Sequence, residues 1–393
     1  MPVLFLIVTV DLIGFGIVIP LLPFFGEHFD ASPAQIGLLM ATYSAAQFLS
    51  APFWGQLSDR IGRRPVLLWT MAGAFCAYLW LGHSESLLSL FLARAFGGFM
   101  AGNISTAFAY VADVTTEKTR AKGMGLIGAA FSIGFILGPA IGGVLAGSDP
   151  LTADYRSPSY AAAALSLLAL VLGFVMLRES VPAEQRAKAS AASRPSRLRT
   201  LFKALSVPGV RMLILMSFLA TLAFAGLEST FAMWSRRQFG WGPEQNGYLF
   251  TLIGFIAALV QGGLMGRLSA WVGIERLIVG GAVVLALGLI AVPFCDSVPM
   301  LVAVMTVCGL GFSVMTPAMN TAISLRGASG VQGGLMGVTR SATTLSRMIG
   351  PVVAGGAFGF IGLNAPYIAG AGIMALVAII GLTSLSKRPE TEA

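Results

Sequence analysis

The stretch G-Q-L-S-D-R-I-G-R-R-P, residues 55–65, is a short polar gap between two long apolar runs. About 20 apolar residues in helical form cross a bilayer, so this gap reads as a tight turn at a membrane surface. It crowds one acid and three arginines, Asp59, Arg60, Arg63 and Arg64, into a few positions. A segment that only joins two helices requires no such pattern. Gly55 and Gly62 give it room, because glycine permits both a sharp reversal and close helix packing.

The rest of the chain has the same character. Of 393 residues, 56% are hydrophobic and only 11% are charged, whereas soluble domains carry about 25% charged residues. Twelve apolar segments can be marked out, near 3–25, 34–57, 65–83, 87–111, 121–147, 158–177, 211–234, 244–266, 276–294, 298–322, 332–359 and 362–385. In hydrocarbon a helix satisfies its own backbone polar groups, and the short alternating strands of a membrane barrel are absent from the pattern. The expected fold is an all-α integral membrane protein. The 48 glycines suit close helix contact in lipid. The first apolar run lacks a basic leader and is followed by many more, so it reads as helix 1 and not as a cleaved signal peptide.

The net charge of +8 lies in the loops, where topology accounts for it and nucleic-acid binding does not. With the N-terminus in the cytoplasm, loops 2–3, 4–5, 6–7, 8–9 and 10–11 and the tail hold almost all Lys and Arg outside the spans. The opposite side holds Arg156, Arg236 and Arg237. That bias places both termini in the cytoplasm. Cys76, Cys295 and Cys308 form no C-x-x-C pair and read as small buried hydrophobes. His28 and His83 have no metal-ligand spacing. Neither a Walker loop nor a nucleophile triad is present. No cofactor, metal, ATP-driven step or enzyme activity is expected.

The long polar stretch 178–210 divides the chain into a six-helix half at 1–177 and a second at 211–385, with a short tail at 386–393. It reads as a basic cytoplasmic linker with some interfacial helix near 196–206. The halves echo each other. GQLSDRIGRRP at 55–65 aligns with GRLSAWVGIER at 266–276, and GPAIGG at 138–143 aligns with GPVVAGG at 350–356, at nearly the same offset. Parallel repeats with a site between them are a transporter architecture.

These features together resemble the major facilitator superfamily, and most closely its twelve-span drug:proton antiporters of the tetracycline-exporter-like branch. Four segments carry the resemblance over essentially the whole chain: DLIGFGIVIPLLP at 11–23, GQLSDRIGRRPVLL at 55–68, RAFGGFMAG at 94–102 and GAAFSIGFILGPAIGG at 128–143. The resemblance implies two pseudo-symmetric six-helix halves and proton-coupled export of small amphipathic compounds or drugs by alternating access. It further implies residence in a bacterial cytoplasmic membrane and work as a monomer. Tetracycline exporters carry further acids in helices 3 and 9 and a histidine in helix 8. Here GAFCAYLWLG and GGAVVLALGL carry no acid, so export of that drug as a metal chelate is not expected.

Five charged residues fall inside spans. Asp11 sits about 15 Å above the inner boundary of the hydrocarbon and Arg94 about 18 Å above it. The depths agree, and Arg94 matches the family's helix 4 arginine. A charge at such a place costs about 2.5–3.5 kcal/mol and usually faces a cavity. Low dielectric disfavours a carboxylate, which suits a proton carrier. The expectation is a switchable Asp11–Arg94 contact, with a permanent buried ion pair as the alternative. Glu228 in helix 7 and Arg347 in helix 11 lie about 25 and 22 Å deep, and the resemblance makes helices 7 and 11 neighbours, which implies that the two can pair. Glu228 reads equally as a second proton site, a binder of cationic substrate or a structural group. Arg340 lies two turns before Arg347, either as another partner for Asp11 or as a snorkelling residue.

By resemblance, the 55–65 loop is a gate. Asp59 would sit at the N-terminus of helix 11 and Arg63 or Arg64 would bridge to Asp113 at the end of helix 4. Gly134, Gly138, Pro139, Gly142 and Gly143 strip bulk from one face of helix 5 at the antiporter signature, and Pro139 is expected to kink it. Gln47, Asn103, Gln261 and Asn320 are candidate polar cavity residues, with Trp234, Phe15, Phe224 and Phe231 as candidate aromatic ones. Two other functions stay open: a proton-coupled carrier of a particular metabolite or lipid-like molecule, and a transporter-like receptor or scaffold.

Overall fold

A computed structural model of the chain describes residues 2–182, 209–326 and 332–385. The interfacial helix expected near 196–206 and the tail at 386–393 lie outside them. Twelve long helices appear among the described residues: α1 (Val3–His28), α2 (Pro33–Ile61), α3 (Arg63–Gly82), α4 (Leu87–Val114), α5 (Glu117–Ala146), α6 (Arg156–Met176), α7 (Val210–Phe239), α8 (Pro243–Val272), α9 (Ile274–Phe294), α10 (Val298–Arg326), α11 (Gln332–Phe360) and α12 (Ala365–Leu385).

Ten of these are apolar enough to cross a bilayer on composition alone, and the exceptions are α2 and α11. Each has 29 residues, or about 43 Å of helix, so length is not what they lack. They are too polar. α2 carries Thr42, Ser44, Gln47 and Ser50, and α11 carries Thr339, Arg340, Thr343, Thr344, Ser346 and Arg347. Such stripes have to face protein or a water-filled cavity. The twelve-helix expectation therefore agrees with the structure, and two of the helices carry polar stripes.

Local sequence explains the punctuation. Ser32 and Gln35 form a capping box at the start of α2, with Pro33 in the first turn. Gly62 ends α2 at φ 109°, a left-handed conformation that only glycine adopts freely. α1 tightens into a 3-10 turn at Ile19–Leu21, where Pro20 removes a donor. α4 does so at Ala101–Asn103, and α8 holds a π-turn at Val260–Leu264.

The described residues cluster into two compact units. The first lies within Met1–Ser193 and Phe231–Gly254, and the second within Arg194–Thr230 and Phe255–Ala393. In the first, α1 runs against α5 and α6, α2 against α4, and α3 against α4 and α6. In the second, α9 packs on α10 and α12. Large apolar side chains such as Leu49, Phe174, Val175 and Leu382 point outward, as lipid contact requires.

The repeated G-P motif does the same work in each unit. In the first, Gly138 of α5 meets the α1 backbone, where a Cβ would stand 2.5 Å from the Gly16 Cα. Gly134 and Gly142 flank it against Leu12 and Ile17, and Gly143 faces the α8 backbone at Pro243 and Glu244. In the second, a Cβ on Gly350 of α11 would stand 2.8 Å from the Leu222 carbonyl oxygen of α7. Backbone approach this close leaves no room for a side chain. Gly138→Val and Gly350→Val should each destabilise the protein by about 1–3 kcal/mol. Gly128→Val, with nothing within 4 Å of the new Cβ, should be close to neutral. Thermal unfolding of the three variants in detergent checks the ranking.

Candidate functional site

A cavity opens inside the first unit, between α1, α2, α3, α4 and α5. The space between its walls, open solvent included, is about 950 Å³. α1 supplies Asp11 and Phe15, α2 Tyr43 and Gln47, α3 Thr70 and Tyr78, α4 Arg94 and Asn103, and α5 Phe131. Asp11 falls between two apolar clusters. One holds Ile17, Leu22, Phe24 and Tyr155; the other holds Leu4, Ile7, Leu67 and Val111. The carboxyl therefore has hydrocarbon-like packing along the helix in both directions and the cavity at its side.

Arg94 is 5% exposed. Its guanidinium lies over the Tyr43 ring, 4.2 Å from the centroid, and its Nε has no hydrogen-bond partner. Asp11 and Arg94 thus share one cavity, but no ion pair joins them in this structure. Gln47 and Asn103 also line it, held by specific bonds. The Gln47 side chain donates to the Ala101 carbonyl at 3.1 Å, and Asn103 donates to Thr70 at 2.7 Å. The Trp54 indole donates to the Phe99 carbonyl at 2.6 Å. Two α2 side chains thereby satisfy carbonyls beside the 3-10 turn that interrupts α4.

A second constellation forms where α2 turns into α3. Arg63 contacts Asp59 one turn away and bonds Asp113 at the end of α4, Nε to Oδ2, at 3.1 Å. It also donates to Ser58 at 2.7 Å. Arg60 is exposed. Gly55 faces Ser105 of α4. The residues leading into α11, 327–331, where Asp59 was expected to dock, lie outside the described residues. Sequence reading missed the central member, Glu179. Its carboxylate accepts the Arg63 backbone N–H at 2.8 Å and the Arg64 backbone N–H at 3.1 Å. An acid at the orphan N–H groups of a helix start is favoured by hydrogen bonding and by the dipole. Ser180 donates to Asp113 at 2.9 Å, and Arg64 donates to the Phe174 carbonyl at 2.7 Å. Glu179 looked like the start of a linker, and no short-range signal ties it to a loop more than a hundred residues earlier.

The opposite end of α1 carries another clamp. Glu27 takes Arg236 at 2.7 Å and Arg237 at 3.2 Å, both from the end of α7. In the second unit Glu228 and Arg347 are 3.1 Å apart, the pairing that their depths and the family resemblance implied. Arg340 is exposed two turns earlier on α11. Trp234 is 1% exposed and packs on Phe231 and Phe239, which makes it a core residue. Gln261 is exposed within the π-turn of α8, and Asn320 is half-buried in α10. Phe224 stacks on Phe312.

The sequence model described as the Major Facilitator Superfamily matches residues 4–342 and 263–393. The chain belongs to that superfamily. Multidrug resistance protein 2 of Bacillus subtilis (strain 168) is 28% identical over 98% of this chain and 94% of its own length. The class C tetracycline resistance protein of Escherichia coli is 30% identical over 88% and 86%. The crystal structure of the human organic anion transporter MFSD10 covers 97% of this chain and 98% of its own at a TM-score of 0.71 and 27% identity. The protein is an integral membrane transporter of small molecules and not an enzyme.

Two measurements test the constellations. Glu179→Ala should cost about 1–2 kcal/mol, because it exposes two helix-start N–H groups. Glu179→Gln should recover part of that, and detergent thermal-shift midpoints read the order. A double-mutant cycle of Glu228→Gln and Arg347→Gln should return a coupling of about 1 kcal/mol, since Arg347 is partly exposed; additive losses would show the pair to be incidental.

Proposed function

We propose that this transporter couples the export of small amphipathic compounds to proton entry by alternating access between two six-helix halves, 1–177 and 211–385. The observation that carries the reading is the cavity, which Asp11, in no ion pair with any described residue, lines together with Arg94, Tyr43, Tyr78 and Phe131. An acid so placed exchanges a proton in response to what occupies the cavity. Substrate binds while Asp11 is ionised. Protonation on the other side releases the substrate, and the protonated carrier returns empty. Proton and substrate compete, so they move in opposite directions.

In this reading the 55–65 loop faces the cytoplasm, as do both termini, in a bacterial cytoplasmic membrane, and a monomer suffices. The Asp59–Arg63–Asp113 contacts and Glu179 close that side. The Glu27–Arg236–Arg237 clamp acts at the other end. Gly134, Gly138, Pro139, Gly142 and Gly143 form the bearing on which helix 5 turns. Glu228 with Arg347 is a second charge pair, available as a proton site. The likeness to multidrug and tetracycline resistance proteins supports export.

One observation favours a second reading. Arg94 is a buried cation with an unbonded Nε, and one relative of known structure is described as an organic anion transporter. An anionic substrate on Arg94 would require Asp11 to be protonated at the same time. Proton and substrate would then travel in the same direction.

Proteoliposomes under an imposed pH gradient separate the two. With ethidium as a lipophilic cation, substrate-triggered proton movement in the opposite direction, lost at least tenfold in Asp11→Asn, is the expected result. Co-directional movement with a fluorescent carboxylate instead would establish the anion reading. Flux that survives Asp11→Asn would transfer the proton site to Glu228.

A further inference from the structure

Arg94 poses a physical problem that the export cycle does not solve. A guanidinium is always charged, and it sits here almost without solvent and without a carboxylate. When Asp11 takes a proton, Arg94 loses the one acid that lines the cavity among the described residues. Something must offset the charge in that half of the cycle, or protonation would be too costly to occur. The structure contains the answer in the α2 aromatic beneath the guanidinium. The Tyr43 ring lies 4.2 Å from the Arg94 carbon, well within the range in which a desolvated cation is attracted to a π face.

The ring is held there by design of the surrounding packing. Phe15 of α1 lies against it at 5.2 Å. One turn after Arg94, Gly98 lets the α4 backbone close onto the Tyr43 backbone, where a Cβ would stand 2.8 Å from the Tyr43 Cα. Gly97 borders the ring as well, at a distance where a Cβ would make ordinary contact with it, 3.7 Å. Tyr43 is 8% exposed. We propose that Tyr43 is the second seat of Arg94: the guanidinium pairs with the ionised Asp11 in one half of the cycle and lies over the Tyr43 ring in the other. Tyr43 is a positioning residue, and the proposal rests on the reading of Asp11 as the proton site.

The charged and titratable groups facing this pair come from each packed element. α1 brings Asp11, α2 Tyr43, α3 Tyr78 and α4 Arg94 itself, while α5 brings only apolar residues such as Ile127 and Phe131. α6 packs on α1 at Gly14 and Ala162 and lends no residue to the cavity lining. Tyr43 and Tyr78 remain neutral near physiological pH. The protonation of Asp11 is therefore coupled chiefly to where Arg94 sits.

The sign of the effect follows. The ring stabilises the arrangement in which Asp11 is protonated. Removing it weakens that arrangement, so Asp11 should hold its proton less well and titrate at lower pH. The measurement is the carboxyl infrared band of purified, substrate-free protein titrated with acid, assigned by its loss in Asp11→Asn. Tyr43→Leu should move the midpoint down by about 0.4–1.5 pH units, or roughly 3- to 30-fold in proton affinity. Tyr43→Phe keeps the ring and should stay near wild type. Pentafluorophenylalanine at position 43 keeps the ring's size but removes its negative face, and it should reproduce the acid shift even where Tyr43→Leu fails to fold. In an Arg94→Gln background the effect of either change should vanish. An unshifted midpoint in the fluorinated variant, or the same shift without Arg94, would overturn the proposal. A wild-type Asp11 that never titrates would overturn it together with the proton site. Failure of ethidium export with the shift intact would overturn export alone.

Discussion

Hydrocarbon offers no hydrogen-bond partner and almost no dielectric relief, and both consequences are visible in this chain. Backbone groups must be satisfied within the helix that bears them, so the spans are helical from end to end. Charged side chains must find partners inside the protein, so they gather in a few places. Asp11 and Arg94 share a cavity, Glu228 holds Arg347, and Glu27 holds Arg236 and Arg237. Polar groups that carry no charge follow the same rule. Where α4 tightens at Ala101–Asn103, Gln47 and Trp54 reach across from α2 to its carbonyls.

Lipid also removes the usual hydrophobic drive for helix association. What brings helices together is close packing, and here glycine supplies it. The α1–α5 contact at Gly16 and Gly138 and the α7–α11 contact at Leu222 and Gly350 are the same solution reached twice. Those positions are the G-P echo of the two halves. The seam that positions α1, and with it Asp11, is therefore set by the absence of side chains as much as by their presence.

In the proposed cycle, Arg94 passes through states with different numbers of neutralising acids. A permanent ion pair would be rigid, and a lone guanidinium would be too costly. An aromatic face gives an intermediate degree of stabilisation, weaker than a carboxylate and independent of protonation. The polar cluster at the α2–α3 turn has the opposite character. Arg63 holds both Asp59 and Asp113, and Glu179 accepts from the helix-start N–H groups of Arg63 and Arg64, so each charge there has a partner.

Hydropathy, loop charge and the motif at 55–65 determined the membrane class, the number of spans and the superfamily, because each depends on composition over a window or on residues close in sequence. The pairing of Glu228 with Arg347 was also within reach, since helical rise converts sequence position into depth and the family resemblance made helices 7 and 11 neighbours. Three features needed the tertiary structure. Glu179 was indistinguishable from linker until its carboxylate was seen on Arg63 and Arg64. Trp234 read as a pocket aromatic but packs in a core. Tyr43, one of many aromatics in an apolar span, became notable only under Arg94. Depth along a helix is written in the chain, one residue per 1.5 Å. Which way a side chain points around that helix, and what meets it from a helix far away in sequence, is decided by packing.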